Sequence, residues 1–234
     1  MNITKRPLEA DKYRCTIIQM YRDRVTAFQA TTVPGAYYTQ NAENDMGAAR
    51  LMAGLWSFKR GLHKGNPALV QNSSMLVLRD TDQDYDMDFD SDYLQSGFFG
   101  INNHAGGGSD SIGKWSAGCQ VIRGEVVGGQ SLAWNSKQWL NYKNRAYQAS
   151  NSVYQYLLMP YDWVEIVSAG KKAILMIGSK GNAVSAIQSK LGLKIDQNYG
   201  EFTARAVMKF QKANGIQPNG CVGPQTATAM GISL

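Results

Sequence analysis

The sequence predicts an α+β protein, a mostly β domain followed by a small three-helix bundle. Three observations predict it. Residues 14–167 hold short apolar runs broken by glycine, proline and polar turns, which is the pattern of strands. Residues 184–213 instead repeat apolar side chains at spacings of three and four, which is the pattern of helices. Composition and charge change between them at Ser168-Ala169-Gly170-Lys171-Lys172, which reads as a linker. The expected domains are therefore 1–168 and 169–234.

Cys15–Met20 and Val25–Phe28 are the first expected strands, and Val33-Pro34-Gly35-Ala36 is a turn. Residues 47–58 are expected as a short helix running into a strand. Gly61 to Pro67 is expected as a loop, with strands at Ala68–Val70 and Met75–Arg79. Gly97 to Asn103 reads as a buried strand ending at His104, and Cys119–Ile122 as its successor. Ser136 can cap a helix running to about Ala149. Val153–Met159 and Trp163–Val167 read as closing strands. In the second domain Val184, Ile187, Gln188 and Leu191 share one helical face. Ala206, Val207, Phe210 and Ala213 share another, and a third helix starts at Pro224, a residue suited to the first helical position. Gly200-Glu201-Phe202-Thr203 and Gly223-Pro224-Gln225-Thr226 echo each other as G-x-x-T at helix starts.

The net charge of +6 resides in the second domain: residues 1–168 hold 16 basic and 16 acidic side chains, residues 169–234 hold 8 and 2. A basic module on a neutral one suits a polyanion, and charge alone fits cell wall, nucleic acid or anionic lipid. No apolar run is long enough to span a membrane. The first fifteen residues carry Lys5, Arg6, Glu9, Asp11, Lys12 and Arg14, which interrupt any apolar leader segment. Synthesis and folding in a cytoplasm are expected. Three well-separated cysteines, Cys15, Cys119 and Cys221, suggest no disulfide framework. With two histidines, His63 and His104, a three-histidine metal centre is excluded.

The residues that can carry chemistry are Cys119 and His104. A cysteine nucleophile needs a base close by. The glycine-rich Ala105-Gly106-Gly107-Gly108 after His104 leaves the backbone free to fold back and admit a substrate. Gly118 permits a tight turn in which backbone N–H groups near Cys119 could face a developing oxyanion. The implied chemistry is acyl transfer through a thioester, and it requires the sulfur of Cys119 and the imidazole of His104 side by side in an accessible groove. Read separately, each residue is ordinarily structural: a cysteine in a strand packs as a small apolar group. His63 reads as structural or as a minor substrate contact. A zinc site of His63, His104, Cys119 and one Asp is the metal alternative. An Asp stands at every even position from Asp80 to Asp92, seven in all. The run lacks the glycine and glutamate of an EF-hand and reads as a solvated loop, with calcium binding of another kind as the alternative. Glycosidase chemistry ranks lower, since the five Glu occupy no recognisable setting.

The segment INNHAGGGSDSIGKWSAGCQVI, residues 101–122, resembles the signature of the L,D-transpeptidase catalytic domain: His, a glycine-containing loop, then Ser-x-Gly-Cys. The resemblance implies a mostly β domain that forms a thioester with a wall stem peptide. It implies Cys119 as nucleophile, His104 as its partner, and Ser116 and Gly118 as flanking motif residues. Ala117 stands where the family commonly has His, and Val121 where it has Arg or Asn; Gln120, Arg123 and Trp115 are the nearby candidates for substrate contact. Residues 174–231 resemble the three-helix peptidoglycan-binding domain, through Gly178, Gly181, Gln188, Leu191, Gly200-x-x-Thr203, Phe210 and Gln211 and the ending NGCVGPQTATAM, with Cys221 as packing. Together they imply a peptidoglycan-degrading enzyme resembling phage endolysins, moving from host cytoplasm to wall after membrane disruption. Peptidoglycan is the expected partner of a monomer that needs no cofactor or metal, no nucleic acid and no membrane insertion. A non-catalytic wall-binding protein is the alternative from another class.

Overall fold

The computed structural model describes residues 11–85, 93–160 and 174–234. The chain divides into two compact units: Met1–Leu51 with Ser57–Tyr154, and Met52–Trp56 with Gln155–Leu234. The expected linker at 168–172 and the strand at Trp163–Val167 lie outside the described residues, as do Asp86 to Asp92. The fold class is α+β, with the helices of the C-terminal region following a strand-rich chain.

Strands β1 (Cys15–Tyr21) and β2 (Arg24–Thr31) form a hairpin in full register, from Cys15 opposite Ala30 to Tyr21 opposite Arg24. Helix α1 (Ala36–Gln40) follows directly where only a turn was expected. The helix expected within 47–58 does not form. Those residues make β3 (Ala48–Leu51) and the start of β4 (Gly54–His63). Ala48–Leu51 pairs residue by residue with Asp80–Val77, and all four side chains are buried, so tertiary pairing overrides the helical preference of alanine and leucine. The loop expected over Gly61–Pro67 is likewise a hairpin: β4 turns at Lys64-Gly65 into β5 (Asn66–Gln71).

Strands β6 (Met75–Asp80) and β7 (Tyr93–Gly97) complete a three-stranded sheet in the order β3-β6-β7. The expected strand through Gly97–Asn103 is interrupted: β7 ends at Gly97, and regular pairing resumes in β8 (Asn103–Ala105). Strand β9 (Gln120–Ile122) lies parallel to β8, with His104 opposite Val121. Strands β10 (Glu125–Val127) and β11 (Gln130–Leu132) make a separate hairpin that the sequence reading did not anticipate. With β12 (Val153–Leu158) the large sheet has the order β1-β2-β9-β8-β5-β4-β12.

Helix α2 (Lys137–Gln148) starts where Ser136 predicts, its hydroxyl accepting the Trp139 N–H at 3.2 Å. It buries Trp139, Tyr142 and Ala146, one narrow stripe on a polar helix. Tyr142 meets Phe28 of β2 edge-on at 5.4 Å and accepts a 2.9 Å bond from Asn103 of β8. Side chains alternate along a strand. Asn103 therefore faces α2, and Asn102 and His104 face the other way.

The second unit contains α3 (Asn182–Lys190), α4 (Glu201–Ala213) and α5 (Pro224–Met230), with Pro224 in the first turn of the last. Helix α3 buries Val184, Ile187 and Gln188 as the spacing predicts. The buried face of α4 is Thr203, Ala204, Val207, Met208 and Gln211; of the expected set only Val207 is fully enclosed, and Ala213 is exposed. The reason is polar. Gln188 donates to Asp196, to the Asn198 carbonyl and to Thr203, and Gln211 donates to Asn219, to the Cys221 carbonyl and to Thr226. Each buried amide thus holds the following loop and the threonine of the next G-x-x-T, which fixes which face turns inward. Gln211 also accepts the Gly220 N–H at 3.0 Å. Gln211→Ala orphans these partners in a buried site and is expected to cost about 2–4 kcal/mol. A lowered denaturant midpoint for the second unit checks this, and an unchanged midpoint contradicts it.

Candidate functional site

The parallel pair β8–β9 sets the site. Because His104 lies opposite Val121, and Cys119 is two residues before Val121, Cys119, His104 and Asn102 share one face of the sheet. That face opens into a cleft of about 380 Å³, lined by both Cys119 and His104 and by His63, Trp115, Phe98 and Ile101 among others. The volume suits a short peptide segment rather than a single ion.

The turn before Cys119 is held tightly. The Ser116 hydroxyl donates to the Cys119 carbonyl at 2.8 Å and accepts the Gly118 N–H at 3.1 Å. Ser116 is buried, so it shapes the turn and does not face the cleft. Gly118 has φ 136°, and a Cβ there would stand 2.6 Å from the Ala49 carbonyl oxygen. No other residue fits this backbone without movement. Gly118→Ala is expected to cost roughly 2–4 kcal/mol, from strain plus overpacking. Thermal unfolding should show the first unit melting about 5–15 °C lower; an unshifted transition would contradict the close approach. The Gly118 N–H was one of the donors expected near an oxyanion, but it is already engaged by Ser116.

Cys119 is 9% exposed and packs with Tyr13, Val33, Ile112 and Val121. Its sulfur contacts the Gly100 carbonyl oxygen and the Asn102 N–H, each at 3.5 Å. Burial pushes the thiol up to about 11, with the Asn102 N–H opposing the rise.

His104 is 2% exposed. Its Nδ1 lies 2.8 Å from the Ala105 carbonyl oxygen. A carbonyl only accepts, so Nδ1 carries the proton and Nε2 carries the lone pair. Nε2 is buried and has no hydrogen-bond partner. The sulfur and the imidazole thus share a face and a cleft without bonding directly to each other. The His104 ring stacks on His63 at 4.3 Å between centroids and on Trp134 at 5.8 Å. Burial, then the neighbouring His63, lowers the imidazole to about 3. Near neutral pH the pair is a thiol and a neutral imidazole. Burial favours the uncharged form of each group, so no resting ion pair forms.

Two of the three candidate substrate contacts lie elsewhere. Gln120 is fully buried and bonds the Gly118 carbonyl at 3.2 Å. Arg123 donates to the Gly108 and Ser109 carbonyls and to Gln29, and reaches Asp110 at 3.7 Å, which fixes the glycine-rich loop. Trp115 does line the cleft and is 36% exposed.

The sequence reading underweighted His63 and missed Asn102, Trp134 and Arg79. His63 Nδ1 sits 3.0 Å from the Asn102 amide nitrogen, so Asn102 orients the ring that stacks on His104. The hairpin turn at Lys64-Gly65 delivers His63 to this face, and a loop assignment concealed it. Among the described residues, only Asp80, Asp82 and Asp84 form a group of three or more potential metal ligands with donor atoms within 4.8 Å of one another. The set His63, His104 and Cys119 does not converge in this way. The remainder of the aspartate run lies outside the described residues.

The second unit supplies the outside comparison. Residues 180–230 match the putative peptidoglycan binding domain family. The match spans α3, α4 and α5, together with both glutamine–threonine clasps, and supports peptidoglycan as a partner of this chain. No curated protein and no solved structure matches the chain. Among the described residues, no helix is long and apolar enough to cross a membrane.

Proposed function

We propose that the chain is a wall-associated cysteine acyl-transfer enzyme acting on the stem peptides of peptidoglycan. The observation that carries the reading is the unpartnered lone pair of His104 Nε2, held in the same cleft and on the same sheet face as the Cys119 thiol. A buried acceptor without a donor is costly unless something occupies it in another state. A neutral imidazole with its second nitrogen anchored to a carbonyl is the form a general base needs.

In the proposed reaction His104 Nε2 removes the Cys119 proton as the sulfur adds to the stem-peptide carbonyl carbon. The tetrahedral adduct collapses to a thioester, and the leaving amine takes that proton. Water or a second amine then attacks the thioester, with His104 again accepting the proton and returning it to the sulfur. Proton transfer concerted with attack avoids the isolated ion pair, which the burial of both groups disfavours. The wall-binding unit raises the local concentration of insoluble substrate without adding contacts at the thiol.

The test is mass analysis of fragments released from purified sacculi, with a parallel search for an acyl adduct on Cys119. Peptide-bond cleavage or exchange and a thioester-mass adduct are expected. Intact peptides with no adduct would reject the reading. The second reading is a wall-binding protein without catalysis. The raised thiol and the engaged Gly118 N–H favour it, and sedimentation with sacculi without fragment release would establish it.

A further inference from the structure

Arg79 is a buried cation with no counter-ion among the described residues. It is 5% exposed, yet it lines the cleft. Its Nε donates to Gln95 Oε1 at 2.9 Å and its Nη1 to the Gly47 carbonyl at 3.3 Å. Its guanidinium lies 4.8 Å over the Phe99 ring. No carboxylate of the described residues pairs with it, and Nη2 donates to none of them. Burial lowers its pKa. Arginine nevertheless remains charged. A guanidinium withdrawn from water without a carboxylate beside it among the described residues is expensive to keep, and Met or Leu would fill a β-sheet position at lower cost.

The position is informative. Arg79 on β6 lies directly opposite Ala49 on β3. Ala49 is in turn the residue against which Gly118 packs, and its N–H reaches the Ala117 carbonyl at 3.5 Å. Strand β3 therefore lies between Arg79 and the turn that presents Cys119, and both Arg79 and Cys119 line the cleft. Among the described residues the cleft also carries Lys64 and Lys114, against Glu43 as the single acidic lining residue. The described lining is net basic, and Arg79 is its most buried cation.

We infer that Arg79 is the receptor for a free carboxylate on the acyl donor whose carbonyl Cys119 attacks. The inference rests on the proposed function for the thiol, but the binding step does not. A guanidinium offers a planar pair of donors that matches a carboxylate. A peptide with a nearby carboxylate gains this contact, and one with a carboxamide there leaves the cation unpaired, so the same residue discriminates between them.

The experiment uses the full chain carrying Cys119→Ala, so that nothing turns over, with and without Arg79→Gln. The probes are soluble peptide fragments of peptidoglycan, either with free carboxylates or after carbodiimide amidation. Calorimetry should show about ten- to hundredfold tighter binding of the carboxylate form. Arg79→Gln should abolish that preference while circular dichroism stays unchanged, and Arg79→Lys should restore part of it. If Arg79→Gln does not fold, Lys64→Gln and Lys114→Gln take its place: a preference kept in both assigns the contact to Arg79, and one lost in either overturns the inference. Equal binding of both probes, or no binding of either, overturns the inference, as does a preference that survives Arg79→Gln. A contrast that is present while wild type forms no acyl adduct would overturn the thiol chemistry and leave the carboxylate receptor standing.

Discussion

Cys119→Ser is expected to lower fragment release from purified walls by on the order of a thousandfold or more, while sedimentation with walls is unchanged. The hydroxyl is a poorer nucleophile than a thiol, and in this cleft the penalty is larger than usual. The thiol itself stands at about 11 and the imidazole at about 3, so the proton transfer already runs strongly uphill. A serine hydroxyl, several units less acidic again, cannot be activated by so weak a base. Packing should survive, since serine is close in size and the Gly100 carbonyl 3.5 Å from the sulfur can accept its hydroxyl. Wall affinity should survive because the matched residues 180–230 belong to the second unit. Fragment release by the serine variant at the wild-type rate would eliminate the thiol mechanism.

The second large effect is on stability and concerns pH. His104 stands at about 3 in the folded chain and near 6.5 when unfolded. Between those values the unfolded chain binds more protons, so stability falls as the pH is lowered. The contribution is intact above about 6.5 and is lost progressively towards 3. Each pH unit inside this window removes about 1.4 kcal/mol. Lowering the pH from 6.5 to 4.5 should therefore cost on the order of 3 kcal/mol from this one residue. His63 is also lowered, chiefly by its own burial, and adds a cost of the same sign. Carboxylates contribute to the same curve, so the informative quantity is the difference between wild type and His104→Gln. Denaturant unfolding across this range should show a flatter slope for the variant, and parallel slopes would mean that His104 is not held neutral. The same shift bears on kinetics. The kcat/KM of wild type should show no acid limb near pH 6.5, because the base is already unprotonated there.

Much of the architecture was legible from local signals. Ser136 marked the start of α2 because an N-cap hydroxyl acts within three residues. Pro224 marked α5 for an equally local reason. The errors fall where pairing partners are distant in sequence. Ala48–Leu51 carries a helical composition and became a strand because β6, some thirty residues on, supplies its hydrogen bonds. The face of α4 was misjudged by about one position because apolar periodicity ignores a buried glutamine, and Gln211 with Thr203 determines what turns inward.

The candidate site divides along the same line. The sequence by itself indicated that His104 and Cys119 lie on or beside neighbouring strands, that a tight turn at Gly118 precedes Cys119, and that a helical domain resembling peptidoglycan-binding domains follows. Those properties depend on residue type and short spacing. Only the tertiary structure decided that His63 stacks on His104, that Arg123 serves the glycine-rich loop, that the Ala49 carbonyl excludes a side chain at Gly118, and that Arg79 lines the cleft. Each of these depends on strands far apart in the chain, and on how much water the completed cleft leaves around a charge. No local pattern encodes either quantity.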